Sequence, residues 1–337
     1  MRELRKDPIT GHWVLISPER TGRPTDFAKE SVDPTQRSDD CSFCPGNEAT
    51  TPPEVFTIPM EGRGKGWQIR VVPNKFPAVE SAAEFGRHGE GLFERLDGVG
   101  VHEVIIENPD HAATLATLPD SAIENVLRAY QSRFRAIEKD GRFPYVLIFK
   151  NHGPEAGATL EHGHSQLVAL PVVPPRARQE LDGARAHFSE QQRCIYCDII
   201  GEEAEGARFV TGNDDFVVLA PFASRFAWEV WLLPRRHRAR FVDASEAELS
   251  GLAPVLKTTL ASLDEALGLP PYNLIVQSAP FRDDSDEHYH WHIEIAPRVA
   301  TLAGFEWATG TYINSVPPEE AAQKLRKIMH LAPPGTP

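Results

Sequence analysis

The segment Glu161-His162-Gly163-His164-Ser165-Gln166 (EHGHSQ) runs straight into the apolar stretch LVALPVV. Alternate residues of a strand share a face, so a strand here turns His162, His164 and Gln166 the same way. A buried polar group left unpaired costs about 1–3 kcal/mol. Three on one face therefore mark either a solvated edge strand or a site.

Outward from this motif, the chain repeats itself. The first half runs from Cys41-x-x-Cys44 through NPDH, ending at His111, and PYVLIF (Pro144–Phe149) to His162 and His164. The second half runs from Cys194-x-x-Cys197 through LPRRH, ending at His237, and PYNLIV (Pro271–Val276) to His290, His292 and Glu294. From the lone histidine to the paired ones is 51 residues in the first half and 53 in the second. Between these markers, SAIENVLRAYQSRFRAIEKDG and EAELSGLAPVLKTTLASLDEALG place apolar residues at helical spacing. Strand-like runs flank them: WQIRVVP, VHEVIIEN, YVLIFKN and SQLVALP, then FVVLAPF, WEVWLLP, YNLIVQ and HWHIEIAP. The expected fold is α+β, a tandem duplication in which each unit is a sheet with one long crossover helix. The units are expected at 1–172 and 191–337, with 173–190, PPRARQELDGARAHFSEQ-like in its polarity and Pro-started, as a linking helix or linker.

Each half supplies two cysteines and two histidines in the same order: Cys41, Cys44, His111 and His162, then Cys194, Cys197, His237 and His290. Two thiolates and two imidazoles make a closed tetrahedral zinc site, which can supply about 10–16 kcal/mol of folding free energy in small domains. A single CxxC reads equally as a redox pair; the matched histidines in both halves point to two zinc ions per chain. His164 and His292, two residues past a ligand, stand beside the metal without belonging to it. His164 is the candidate nucleophile, with a third ligand or a satisfied buried histidine as the alternative.

Composition bounds the function. The 337 residues suffice for two domains, and no apolar run approaches the length of about 20 residues that a membrane span needs. The N-terminus lacks a signal-like apolar core, so a cytoplasmic protein is expected. A net charge of −13 argues against nucleic-acid binding. Cysteine pairs in a reducing compartment favour metal or redox sites over structural disulfides.

These motifs resemble the galactose-1-phosphate uridylyltransferase family of the histidine-triad superfamily, which includes the related ADP-glucose phosphorylases. The resemblance runs from DPITGHWVLISPERTGRP through VVPNKFPAV, NPDH and NHGPEAGATLEHGHSQ to HWHIEIAP and AGFEWATGTYIN. It implies histidine-triad-like units of antiparallel sheet and a ping-pong nucleotidyl transfer with His164 as nucleophile. Gln166 then donates to a nonbridging phosphate oxygen, an amide where triad hydrolases place a third histidine. By the same match Asn74, Asn151, Gly157 and Thr159 bind nucleotide and phosphate, Arg20 and Arg23 lie near the substrate phosphates, and Glu306 contacts sugar hydroxyls. Loop chemistry is the plainer reading of the Asn and Gly positions.

In the second half Glu294 replaces the glutamine. A carboxylate there repels a phosphodiester, so one active site per chain is expected, with His292 binding metal or satisfying a buried partner. His152 and His288 read as loop residues. The chain has His-Gly-His-Ser-Gln where the uridylyltransferases have His-Pro-His-Gly-Gln, and Ala300 and Tyr312 where they have Lys and Gln. The first reading is transfer from UDP-glucose to galactose 1-phosphate; the alternatives are ADP-glucose phosphorylase and a non-catalytic zinc-stabilised nucleotide-binding protein. The partners implied are a nucleoside diphosphate sugar and a sugar 1-phosphate or phosphate, and the resemblance implies a homodimer.

Overall fold

The computed structural model describes residues 2–19, 41–60, 66–81 and 86–331. In chain order, β1 (Glu3–Lys6) and β2 (Trp13–Ile16) form a hairpin. β3 (Phe56–Pro59), β4 (Trp67–Pro73), the small hairpin β5 (Arg87–Glu90) and β6 (Phe93–Leu96), and β7 (Val101–Ile106) follow. Helix α1 (Asp120–Asp140) then leads to β8 (Tyr145–His152) and β9 (His164–Leu170). After α2 (Pro175–Gln191) and α3 (Ile195–Glu203) come β10 (Phe209–Gly212), β11 (Phe216–Leu219) and β12 (Val230–Pro234). Helix α4 (Glu246–Leu267) connects to β13 (Tyr272–Gln277) and β14 (His292–Pro297), and α5 (Gly304–Thr309), β15 (Tyr312–Asn314) and α6 (Pro318–Ile328) end the fold.

The two long helices form where the periodicity placed them. In α1, Ile123, Leu127, Tyr130, Phe134 and Ile137 recur at steps of three and four on one buried stripe. Gly141, at φ 75°, stops it by adopting the left-handed cap that a side chain disfavours. In α4 the Ser245 hydroxyl accepts from Glu248 N while the Glu248 carboxylate accepts from Ser245 N, a reciprocal cap that satisfies two otherwise orphaned donors.

Ten strands make one antiparallel sheet in the order β10-β11-β12-β14-β13-β8-β9-β7-β4-β3. Read from either edge, the five strands of each half follow the same order, the last two in sequence being exchanged. The halves meet at β8 and β13, where Tyr272 pairs with His152 and Asn273 with Asn151. The sheet is thus continuous across the expected boundary. A second crossing joins the chain ends, as β15 lies parallel to β2 in a separate three-stranded sheet.

One face of the large sheet carries α1 and α4, and its core includes Val71, Ile105, Ile148, Leu167, Leu232, Val276, Trp291 and Ile293. Fully burying such a side chain contributes about 1.5–3 kcal/mol. The opposite face differs between the halves. Under the second half, Leu181 and Ala184 of α2, Ile195, Tyr196 and Ile200 of α3, and Ile9 pack onto Val217, Leu219, Trp231 and Leu233. Under the first half, among the described residues, a smaller cluster of Phe43, Trp67, Val72, Val104 and Ile106 lies there. The segment expected as a linking helix or linker is therefore α2, and it covers one half of the sheet. Among the described residues no helix is long and apolar enough to cross a membrane.

Candidate functional site

The strand β9 begins at His164, two residues later than the motif implied, and His162 sits in the loop that enters it. Glu107 N still donates to Gly163 O at 3.0 Å, so the ladder with β7 extends past the strand end. His162 faces the Cys41–Cys44 loop. Its Nδ1 is 3.7 Å from Cys41 Sγ and 3.5 Å from Cys44 Sγ, and His111 Nδ1 is 3.4 Å from Cys44 Sγ. Donors about 2.0–2.3 Å from a tetrahedral zinc lie roughly 3.5 Å apart, so these separations fit a bound ion. His162 Nε2 donates to Asn108 O at 2.8 Å, which fixes the ring with Nδ1 toward the thiols.

The second quartet repeats this geometry. Cys197 Sγ lies 3.4 Å from His237 Nδ1 and 3.6 Å from His290 Nδ1, with Cys194 in the same cluster. His290 Nε2 donates to Pro234 O at 2.8 Å, and His237 Nε2 to Asp286 O at 2.8 Å. The paired rings stand edge to face with centroids 5.2 Å apart in the first group and 5.3 Å in the second. A hydrogen bond from Cys194, with those from the two histidines, pushes the Cys197 thiol down, and the same sharing pushes Cys194 up. Such a set readily presents a thiolate to a cation.

His164 stands beside the first quartet. Its Nδ1 donates to His162 O at 2.9 Å, so the lone pair of the neutral ring is on Nε2. Burial, reinforced by the charge of Lys150, lowers its pKa and favours that neutral form. Phe43, inside the cysteine loop, meets the His164 ring edge to face at 5.3 Å. The quartet that anchors the loop thus also holds the ring that could attack. Gln166 follows on the same face, half-buried, and its Oε1 is 2.8 Å from His102 Nε2 on β7.

Behind the strand lies a buried polar layer. Lys150 Nζ donates to Glu107 Oε2 at 2.8 Å and to His164 O at 3.1 Å. Ser165 Oγ donates to Glu107 Oε1 at 2.5 Å, and the Tyr130 hydroxyl reaches Ser165 at 2.5 Å. Burial, then the Glu107 charge, raises the Tyr130 pKa far above its usual value, so the hydroxyl keeps its proton and donates. This layer ties the backbone at His164 to the sheet and to α1.

The second His-x-His is closed. His292 and Glu294 are each 1% exposed. His292 Nδ1 donates to His290 O at 3.0 Å, and its Nε2 faces Glu294 at 3.8 Å. Arg176 of α2 and Arg225 hold the two Glu294 oxygens at 2.8 and 2.9 Å. Burial works to raise the Glu294 pKa, and the Arg176 charge with the His292 hydrogen bond outweighs it, holding the carboxyl below its ordinary value. His292 satisfies a buried partner and is outside the metal quartet.

A family model for the galactose-1-phosphate uridyl transferase N-terminal domain matches residues 1–174, and one for a domain of unknown function (DUF4921) matches residues 126–332. The ADP-glucose phosphorylase of Arabidopsis thaliana is 36% identical, covering 97% of this chain and 93% of that protein. The galactose-1-phosphate uridylyltransferase of Thermotoga maritima is 30% identical, covering 97% and 98%.

The chain belongs to the galactose-1-phosphate uridylyltransferase family.

Solved family structures agree. The Arabidopsis thaliana ADP-glucose phosphorylase with bound ADP-glucose superposes with TM-score 0.84 at 33% identity, covering 97% of this chain and 98% of that one. A uridylyltransferase superposes at 0.75 with 30% identity, covering 98% and 99%.

Within this family member, the expected residues fall into groups. Both metal quartets, His164 and Gln166 converge as described. Asn151 lies on β8, not in a loop; its Nδ2 approaches Gly157 O at 3.5 Å and its Oδ1 accepts from Asn273 at 2.9 Å. Gly157, at φ 92°, closes the turn after Pro154–Ala156, and Thr159 is exposed just beyond. Asn74 is half-buried, with Oδ1 accepting from Phe76 N at 2.9 Å and Nδ2 3.1 Å from His102. Glu306 caps α5 by accepting from Ala303 N at 3.0 Å, beside the small sheet and not beside His164. Arg20 and Arg23 lie outside the described residues. His152, expected in a loop, ends β8 and stacks on Tyr272 at 4.8 Å; His288 is in a turn as expected, but buried.

Sequence reasoning missed Phe43, His102, Glu107, Lys150 and Asn273. A lysine inside the otherwise apolar YVLIFK was the available signal for the buried layer, since lysine is seldom fully buried without a partner. Nothing local marked His102 or Asn273, whose partners come from other strands.

Proposed function

We propose that this chain transfers a nucleotidyl group through a covalent intermediate on His164. Nε2 attacks the α-phosphorus of a nucleoside diphosphate hexose and forms a P–N bond; the P–O bond to the sugar 1-phosphate breaks, and that group leaves with the electron pair. The proton stays on Nδ1, hydrogen-bonded to the His162 carbonyl, which offsets the positive charge that the ring acquires. An oxygen of a second phosphate then attacks the same phosphorus, and the electron pair returns to Nε2. Gln166, with Asn151 and the turn at Gly157, is assigned to hold the phosphate oxygens while charge is redistributed. Asn74 and Thr159 are assigned to the nucleotide, Arg20 and Arg23 to the phosphates, and Glu306 to the sugar, as in the resemblance.

The observation that carries this reading is the His164 tautomer. Its Nδ1 is engaged, while among the described residues no hydrogen bond reaches Nε2. Zinc is the ion proposed for both quartets; it would supply rigidity, tying each cysteine loop to its histidines. The matching strand orders and quartets support a tandem duplication with the nucleophile in residues 1–172 and a structural second unit in 191–337. A cytoplasmic homodimer is proposed with it.

Adenylyl transfer from ADP-glucose to phosphate is the favoured donor reading, because the phosphorylase is more similar in sequence than the Thermotoga maritima relative and superposes better than the solved uridylyltransferase. Uridylyl exchange with a hexose 1-phosphate, placed first on sequence alone, is the second reading, supported by the Thermotoga maritima relative. Incubation with ADP-glucose or UDP-glucose, each radiolabelled at the α-phosphate, decides. Acid-labile protein label from ADP-glucose alone supports the first reading, and label from UDP-glucose alone the second. Absence of label from both rejects the covalent reading and leaves a nucleotide-binding protein.

A further inference from the structure

His102 and Gln166 lie on the adjacent antiparallel strands β7 and β9. The register pairs His102 with Val168 and Val104 with Gln166, so the two side chains are diagonal neighbours on the open face. The His102 ring is held at both nitrogens. Ala78 N lies 3.0 Å from Nδ1, and a backbone N–H can only donate, so Nδ1 accepts. The ring proton is then on Nε2, which donates to Gln166 Oε1 at 2.8 Å.

A glutamine side chain has an oxygen at one end of its amide and a nitrogen at the other, similar in shape and opposite in hydrogen bonding. Turned one way it offers a phosphate two N–H donors; turned the other way it offers a carbonyl that repels it. Only a partner of fixed sense selects between them. Asn74 cannot, because its Oδ1 is taken by Phe76 N and its Nδ2, 3.1 Å from His102 Nε2, is itself a donor. Ala78 N–H sets the sense of the His102 ring, and the ring sets the sense of Gln166.

We propose that His102 is a positioning residue for nucleotidyl transfer: it pins the oxygen of the Gln166 amide against β7 so that the nitrogen faces the α-phosphate. This rests on the reading of His164 as nucleophile and deepens it. It also gives the loop Asn74–Ala78, which hydrogen-bonds to both the ring and the His102 carbonyl, a place in the site.

The test combines single-turnover formation of the labelled nucleotidyl-enzyme with 15N spectra of histidine-labelled protein, His102 being assigned by difference from His102→Gln. Removing an oriented donor to a developing oxyanion lowers rates by about 100- to 1000-fold. His102→Leu, which frees the amide to turn, should lower the rate by about 10- to 100-fold and leave donor binding within about threefold. In a Gln166→Ala background the same change should have no further effect, and His102→Gln should recover part of the loss by returning a donor at the Nε2 position. Equal losses in both backgrounds would reduce His102 to a structural residue and overturn the proposal. So would a spectrum with the proton on Nδ1. Should the unaltered enzyme form no nucleotidyl intermediate, the nucleophile reading fails by itself. The 15N spectrum then still supports or overturns the pinning of Gln166.

Discussion

His164 and His292 make the same contact, ring Nδ1 to the carbonyl of the histidine two residues earlier, at 2.9 and 3.0 Å. What surrounds them is inverted. Around His164 the open face is lined by an uncharged amide, and the charged groups Lys150 and Glu107 are buried behind the strand, on the helix side. Around His292 the helix side is apolar, filled by Trp291 against Phe216 and Phe241, and the charges are on the other face, where Glu294 sits between Arg176 and Arg225 beneath α2. The same backbone frame thus carries a candidate site in one half and a buried ion-pair cluster in the other. Charge repulsion by Glu294 was the reason expected for an idle second half; the structure adds the packing of α2 over that face, which leaves the His292 ring 1% exposed.

The largest effect should separate the two histidines directly. His164→Ala should lower formation of protein-bound nucleotide by at least about 10⁴-fold, while His292→Gln keeps it within a few-fold in protein that remains folded. Loss of label from both variants equally would mean that the halves are not divided in this way.

Next come the buried charges. Lys150→Met leaves Glu107 without its cation at a site 0% exposed, which should cost about 3–5 kcal/mol in urea unfolding. Adding Glu107→Gln should recover much of it. Recovery to full stability with an unchanged transfer rate would deny the buried layer any part in holding His164.

Glu294→Gln gives the second motif the His-x-His-x-Gln pattern of the first. It leaves Arg176 and Arg225 facing a neutral amide, an expected loss of about 2–4 kcal/mol. Combined with His164→Ala it should restore no label, because α2 still covers the face. Appearance of label at His292 would show that residue identity, and not coverage, silences this copy.

The smallest effect lies at the seam between the halves. Burial, then the Lys150 charge, lowers the His152 pKa to about 4, with Glu107 acting in the opposite sense. Unfolded, the ring titrates near about 6.5, so between these values the unfolded chain takes up a proton that the folded chain refuses. Stability should be complete above pH 6.5 and fall by up to about 3 kcal/mol as the pH drops to 4. His152→Phe should flatten this part of the pH profile while keeping the ring against Tyr272; an unchanged slope would assign the acid sensitivity elsewhere.

Much of this was legible in the chain. WQIRVVP became β4 because its apolar residues at 67, 69 and 71 alternate with polar ones, and YVLIFKN became β8 because a short continuous apolar run suits a strand packed on both faces. The helices followed from spacings of three and four, closed by Gly141 and Gly268. The metal quartets were readable because the requirement for four donors recurs twice in one order. The closing role of α2 was not readable. Its buried stripe of Ala177, Glu180, Leu181 and Ala184 is short and partly charged, and Glu180 is acceptable in the interior only because Arg176 and Tyr289 meet it there.

By itself, then, the sequence determined eight of the ten strands of the large sheet and its two long helices, which eight residues gather into two groups able to hold a metal, and which imidazole follows one of those residues by two positions. Those properties are periodic or short-range, and local chemistry enforces them. The tertiary structure alone decided which half of that face α2 covers and which side chain meets the Gln166 oxygen. Both depend on residues from distant segments, α2 over β14 in one case and β7 beside β9 in the other, and sheet register with helix docking sets such meetings only once the chain has closed on itself.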